Sequence, residues 1–213
     1  PMPEKKIALL TKIEGLKIDP IISAELNLVA KRLEDSGWVI EEPKAPNFQE
    51  AAKFQATLWL GEFRRTGGEA ITKENDPDSN FIYSQMSRRC PDTSLEKFMD
   101  SLQQRARISR EWNKFFDQYP IILCPITGDV PFPDLKDLES EESFDLVFDS
   151  MLPQIAPPYM GLPGLSFATS QTKQKIPLGV QFISRKFRED LLLNVAYDLE
   201  NYYPKIEPVL PSF

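Results

Sequence analysis

The chain has 213 residues, 41% of them hydrophobic and 27% charged, a composition typical of a folded globular protein with one domain, which we predict to span residues 1–213. Its net charge of −7 disfavours nucleic acid as a partner, and the absence of histidine excludes a Ser-His-Asp or Cys-His catalytic centre. No apolar run reaches the ~20 residues of a membrane-spanning helix and no export pattern stands near residue 1, so we expect no membrane partner and a cytoplasmic location.

The first forty residues have the pattern of a βαβ unit. Residues 6–11 form a short apolar run of strand length, and Asp19-Pro20 then supplies a capping residue and a proline for the first turn of a helix. Apolar residues recur at helical spacing as far as Gly37, and residues 38–40 form a second strand-like run. The order strand, helix, strand predicts parallel pairing with a right-handed crossover.

Two capping boxes predict the next two helices. Asn47 and Glu50 open a helix that should fray near residues 66–68, and residues 93–96 open a long amphipathic helix. The second helix should end near Gln118, because the following Tyr-Pro pair disfavours helical backbone. A buried strand at residues 121–124 comes next.

Two polar segments interrupt these elements. We predict residues 70–92 to be irregular, with one short helix around residues 79–86. Residues 127–150 are predicted to be an acidic surface loop, because carboxylate runs are usually solvated. Their acids could hold a metal, but they lack the alternating oxygen ligands and the turn glycine of a calcium loop, so we predict no metal site and no cofactor.

The residues offer no catalytic nucleophile. No serine lies in a Gly-x-Ser-x-Gly turn or in a Gly/Ser-rich loop, and Ser166 and Ser170 are interpreted as hydroxyls at a strand edge. Cys124 lies inside an apolar strand, where a buried inert thiol is favoured over a disulfide with Cys90. We therefore predict no catalytic residue in this chain.

The C-terminal third carries a recognisable sequence pattern. Residues 161–166 read Gly-Leu-Pro-Gly-Leu-Ser, residues 176–185 read Ile-Pro-Leu-Gly-Val-Gln-Phe-Ile-Ser-Arg, and residues 187–200 complete a helix. Together with the run Tyr-Pro-Ile-Ile-Leu-Cys-Pro at residues 119–125, this order resembles the C-terminal part of amidase-signature enzymes. The resemblance implies an α/β fold in which helices flank a mixed sheet.

The resemblance also implies a chemistry, which is hydrolysis of a carboxamide C–N bond through an acyl-serine intermediate. The family's lysine and two serines belong to its N-terminal half, which these 213 residues do not contain. The isolated chain is then expected to be inactive, and its role would be to shape the substrate pocket.

The resemblance places the segment before Gly161 beside the acyl pocket. Many members carry Asn where this chain has Pro158, so the hydrogen bond of that Asn is lost and the substrate class is open. The predicted substrate-binding residues are Gln154, Pro157, Tyr159, Met160 and Trp59.

Two of the candidate side chains have a structural alternative. Gln181 lies in a predicted buried strand, where an unpaired amide would cost about 1–3 kcal/mol, so we favour a structural hydrogen bond over a substrate contact. For Trp59, core packing is favoured over the pocket because it has helical spacing with other apolar residues.

Two functional hypotheses follow. The first is a C-terminal portion of an amidase, whose partners would be a small-molecule amide and either an N-terminal catalytic half or a second copy of itself, since a half-fold should expose sheet edges or apolar surface. The second is a free-standing, non-enzymatic binding module derived from this half-fold. A flavodoxin-like regulatory domain is a third possibility, suggested by the βαβ start alone.

Overall fold

One five-stranded mixed sheet organises the protein, whose computed structural model describes residues 5–203. The strands are β1 (Lys6–Leu9), β2 (Val39–Glu41), β3 (Ile121–Pro125), β4 (Gly164–Gln171) and β5 (Pro177–Ser184), in the spatial order β2-β1-β3-β5-β4. Strand β1 is parallel to β2 and β3, whereas β5 is antiparallel to both β3 and β4. The predicted α/β class, the mixed sheet and the parallel βαβ unit are confirmed.

Eight helices surround the sheet in the described residues. They are α1 (Pro20–Asp35), α2 (Phe48–Thr66), α3 (Gly68–Glu74), α4 (Pro77–Arg89), α5 (Leu95–Gln118), α6 (Glu141–Ser150), α7 (Leu152–Met160) and α8 (Glu189–Glu200). None of the helices within residues 5–203 is long and apolar enough to cross a lipid bilayer.

Side-chain caps fix the starts of the predicted helices. The Asp19 carboxylate accepts a hydrogen bond from the Ile21 N–H at 2.7 Å, and the Asn47 side chain accepts one from the Glu50 N–H at 2.9 Å. Helix α5 is capped by Ser94, whose hydroxyl accepts from the Lys97 N–H at 3.3 Å. The caps at Asp19 and Asn47 are those that the sequence predicts, whereas the cap of α5 lies one residue after Thr93, at which the predicted capping box begins.

The short helix predicted around residues 79–86 is present as part of α4, but both segments contain more helix than predicted, and the loop predicted at residues 127–150 is wrong where α6 forms. Residues 70–92 hold most of α3 and all of α4, which begins where the Asp76 carboxylate accepts from the Ser79 N–H at 2.7 Å. Residues 127–150 contain a 3₁₀ turn at Lys136–Leu138 and then α6, capped by Ser140. Acids in the first turn of α6 suit the positive end of the helix, and its buried face carries Phe144.

The sheet separates two apolar cores. On one face, alternate strand residues such as Ile7 and Leu123 pack against α1 and α8. On the other face, their neighbours Ala8 and Ile122 pack against α2, α5 and α7. Because strand side chains alternate between faces, each core receives half of every central strand. The cavities described below lie on the α2, α5 and α7 side.

Candidate substrate cleft

A large cleft opens beside helix α2. It has a volume of about 980 Å³ and is bounded by α2, the connection from α4 to α5, the start of α5, and the junction of α6 with α7. We call it the polar cleft because charged side chains of both signs line it: Glu50, Lys53, Arg89, Asp92, Lys97, Asp100 and Asp149. A volume of this size is sufficient for a small-molecule substrate.

A smaller cavity, here the apolar cavity, adjoins the polar cleft. Its volume is about 230 Å³, and Ala56, Cys90, Phe148 and Ile155 line both spaces. The rest of its wall is almost entirely hydrophobic and consists of Trp59, Leu60, Ile82, Met86, Asp137, Phe144, Val147 and Met151. A polar entrance that leads into an apolar recess is the arrangement expected for a ligand with a polar head and a hydrophobic body.

A third space, here the outer cavity, has a volume of about 400 Å³ and lies between α3, α4 and the 3₁₀ turn. It shares Ile82, Met86 and Asp137 with the apolar cavity. Its remaining lining is Phe63, Ile71, Asp78, Ser79, Tyr83, Leu135 and Leu138.

An arginine network holds α4 against α6 at the edge of the polar cleft. The Arg89 guanidinium donates to Asp145 at 2.7 Å and also to Asp149, and Arg88 donates to Asp145 at 2.5 Å. Burial alone would lower the pKa of Arg89, but the two carboxylates outweigh it and raise that pKa. Hydrogen bonds from Arg89, and then from Arg88, lower the pKa of Asp145. The network fixes one wall of the cleft and of the apolar cavity.

Helix α7 contributes different residues from those predicted. Leu152 and Ile155, one turn apart, face the polar cleft. Pro157 and Met160 are buried, and Tyr159 is fully buried with its hydroxyl donating to the Ser101 carbonyl and its ring stacked on Phe54 at 5.7 Å.

Gln154 also lies outside the three cavities. Its Nε2 donates to the Ile126 carbonyl at 3.2 Å. None of the four candidates in the 154–160 segment lines any of these three cavities, and their contact with substrate stays a prediction. The residue pattern did not reveal that this segment is helical. Helical geometry turns Gln154, Pro157 and Met160 away from the side of Leu152 and Ile155. Tyr159 lies on that side but packs against Phe54 and lines none of the three cavities.

Trp59 is the predicted residue that does reach a cavity. Its side chain is 48% exposed and lines the apolar cavity, so the alternative that it packs in the core is wrong. Sequence reasoning missed its neighbours in that wall, Ala56 and Phe148. Ala56 lies one turn before Trp59 on α2, so helical spacing from Trp59 could have identified Ala56 as a residue of the same wall.

The two cysteines lie in contrasting positions. Both are free thiols, and burial raises the pKa of the fully buried Cys124 to about 12. Gln181 Nε2 lies 3.6 Å from Cys124 Sγ and donates to the Pro153 carbonyl at 3.1 Å, so the structural interpretation of Gln181 is confirmed. Cys90 is half-buried at the border of the polar cleft and the apolar cavity.

The chain is similar to known amide-hydrolysing proteins. The sequence model of the Amidase family matches residues 3–193. An indoleacetamide hydrolase of Bradyrhizobium diazoefficiens is 27% identical over 197 residues, which cover 92% of this chain and 37% of that protein. An indoleacetamide hydrolase of Bradyrhizobium japonicum is 26% identical over 196 residues, with 92% of this chain and 42% of that protein covered.

Solved structures share the fold. A 6-aminohexanoate cyclic dimer hydrolase superimposes with a TM-score of 0.77 at 16% identity, covering 96% of this chain and 46% of the other. A fatty acid amide hydrolase superimposes with a TM-score of 0.69 at 16% identity, covering 93% and 40%. The chain thus spans less than half the length of each of these relatives.

Proposed function

This chain belongs to the amidase family, and from that membership we propose that it is the C-terminal part of an enzyme that hydrolyses a carboxamide C–N bond. The polar cleft with its adjoining apolar cavity is the observation that carries the proposal. The amide group would lie in the cleft, and the hydrophobic body of the substrate would enter the cavity. The chain then serves to bind and orient the substrate.

The reacting groups would come from the other half of the enzyme. An activated serine attacks the amide carbonyl, the amine leaves with a proton, and water then hydrolyses the acyl-serine ester. Residues 1–213 hold no serine in a nucleophile loop, which supports placing that serine outside them. The apolar wall excludes water from the body of the substrate and leaves the carbonyl as its polar end.

The size of the apolar cavity favours an aromatic substrate. At about 230 Å³ it is larger than the roughly 150 Å³ engineered cavity that accepts benzene in another protein. The indoleacetamide hydrolases are named for an amide with a fused aromatic ring. We infer that amides carrying an aromatic ring, such as indole-3-acetamide, are better substrates than acetamide.

Exposed surfaces support the need for an N-terminal half. Within residues 5–203, edge strand β4 pairs with β5 alone, which leaves the backbone groups of its outer side available. Leu95, Met99 and Leu102 form an exposed apolar stripe along α5. A catalytic half that packs on these surfaces would cover both, and the isolated chain would self-associate.

The test compares this chain with the complete reading frame that encodes it. Ammonia release from indole-3-acetamide and from acetamide is measured for both proteins, and a fluorophosphonate probe maps the nucleophile by mass spectrometry. We expect turnover and a labelled serine outside the 213 residues for the complete protein, and neither for the chain alone. Amide binding without turnover by the complete protein would instead support a non-enzymatic binding module.

A further inference from the structure

The three cavities lie side by side in a row. The apolar cavity shares four residues with the polar cleft and three different residues, Ile82, Met86 and Asp137, with the outer cavity. The polar cleft and the outer cavity have no lining residue in common. The apolar cavity therefore lies between them, and a ligand that enters from the cleft points toward the outer cavity.

The charged residues at the outer-cavity end of this row of cavities are negative. Of the described residues that line the apolar and outer cavities, the charged ones are Asp137, which lines both, and Asp78 in the outer cavity. Neither carboxylate has an ion-pair partner within residues 5–203. The basic residues nearest to them in the chain are already engaged, since Lys136 binds Glu139 and Lys73 binds Glu69.

Aromatic rings surround the same row of cavities. Trp59 lines the apolar cavity, and Phe63 and Tyr83, whose ring centroids lie 5.7 Å apart, line the outer cavity. Aromatic faces attract cations, and Asp137 is half-buried at the wall that the apolar and outer cavities share. A positive charge on the ligand would satisfy Asp137, whereas a second negative charge would be repelled.

We propose that the apolar and outer cavities form one subsite that selects ligands with an apolar body ending in a protonated amine, and that Asp137 recognises the amine. The inference rests on the proposed function for the position of the amide in the polar cleft. It adds a substrate class, amides with a distal ammonium group, and a specificity-determining residue for it.

Three probes of equal length test the charge preference by direct binding. The ligands are 3-phenylpropylamine, which is cationic at pH 7, the neutral 3-phenylpropan-1-ol and the anionic 3-phenylpropanoate, titrated calorimetrically into the chain. We expect the amine to bind about five- to tenfold more tightly than the alcohol, as a charge-assisted contact would give, and the carboxylate to bind most weakly. Quenching of Trp59 fluorescence, lost in Trp59→Phe, places the ligand in the subsite.

Variants assign the preference to one carboxylate. Asp137→Asn should bring amine and alcohol within about twofold of each other, and Asp137→Glu should restore most of the difference, which a misfolded protein would not do. Asp134→Asn is the matched control, because Asp134 is an exposed acid of the same segment that lines none of the cavities, and it should leave the preference unchanged. Equal affinity of the unchanged chain for amine and alcohol, or a preference that survives Asp137→Asn, would overturn the proposal.

Turnover by the complete reading frame separates this inference from the proposed function. If amides are hydrolysed but the binding titrations show no amine preference, the charge recognition is wrong and the amidase proposal stands. If Asp137 controls amine binding but no amide is hydrolysed, the subsite stands as a binding site and the amidase proposal fails.

Discussion

Gln181 supplies the hydrogen bond that Pro157 takes away from helix α7. In a regular α-helix the Pro153 carbonyl accepts from the N–H of residue 157, but proline has no N–H. The Gln181 side chain, on strand β5, donates to that carbonyl at 3.1 Å. A buried polar side chain of the sheet therefore supplies a hydrogen bond that the backbone of the helix cannot make itself.

The first prediction tests this relationship. Gln181→Leu leaves a buried carbonyl without a donor and should lower the free energy of unfolding by about 1–3 kcal/mol, measured by urea denaturation. Pro157→Ala restores a backbone N–H at position 157, so in that background Gln181→Leu should cost less, by about 1 kcal/mol. Additive effects of the two substitutions would show that the bonds are independent. Gln171→Leu, at an exposed amide, is the control.

The second prediction concerns the wall between the polar cleft and the apolar cavity. Ala56→Phe should fill much of the apolar cavity, so kcat/KM of the complete reading frame for indole-3-acetamide should fall at least about tenfold, while that for acetamide changes little. The measurement is steady-state ammonia release. Ala24→Phe, at an exposed position of α1 on the opposite side of the sheet, should change neither value. Equal losses for both amides would place the substrate elsewhere.

The third prediction uses the arginine network. Arg89 and Arg88 lower the pKa of Asp145 below its usual value of 3.8, so the ionised carboxylate stabilises the folded protein. This stabilisation is fully present at pH values above 3.8, and it is lost as the pH falls through the lower pKa of the folded protein. Asp145→Asn should therefore cost about 1 kcal/mol at pH 7, with solvent screening taken into account, and progressively less below about pH 4.

Urea unfolding at pH 7, 5, 4 and 3 measures this difference for the two proteins. Asp134→Asn, which removes an exposed acid outside the network, should show no such pH dependence. A cost of Asp145→Asn that stays constant down to pH 3 would contradict the assignment, because it would then not arise from the charge.

The fourth prediction separates the two thiols. With a pKa of about 12, Cys124 is ionised in only about one molecule in ten thousand at pH 8, and it is also fully buried, so iodoacetamide should modify Cys90 alone. Mass spectrometry should show one adduct in the unchanged chain and in Cys124→Ser, and none in Cys90→Ser. Since Cys90 borders both cavities, 3-phenylpropylamine should slow its modification.

Local signals predicted those parts of the fold that depend on neighbouring residues. The Asn47 cap and the βαβ unit follow from short patterns and are confirmed. The sequence predicted a short helix within α4 but not its start at Pro77, although Asp76-Pro77 repeats the Asp19-Pro20 signal, because the polar composition of residues 70–92 suggested a loop around it. Helix α6 was missed because its acids obscured the pair Phe144 and Phe148, whose rings stack at 5.9 Å on one face.

The cavities could not be predicted in the same way. Ala56 and Ile155 belong to α2 and α7, which lie about a hundred residues apart in the chain, and their meeting depends on how both helices pack on the sheet. The resemblance to amidases identified the family and the class of fold, and the family match confirms it. It did not specify which side of α7 faces the cleft.

The order of strands in the sheet also bears on how the chain folds. Strands β4 and β5 are joined by a short turn in which the Thr172 N–H donates to the Ile176 carbonyl, so this hairpin closes a short loop. Ile7 and Ile121, which pair in β1 and β3, must instead close a loop of more than a hundred residues at a higher entropic cost. Contacts between such distant residues slow folding. The C-terminal hairpin should therefore form first in refolding experiments, and pairing of the N-terminal strand with β3 should set the rate.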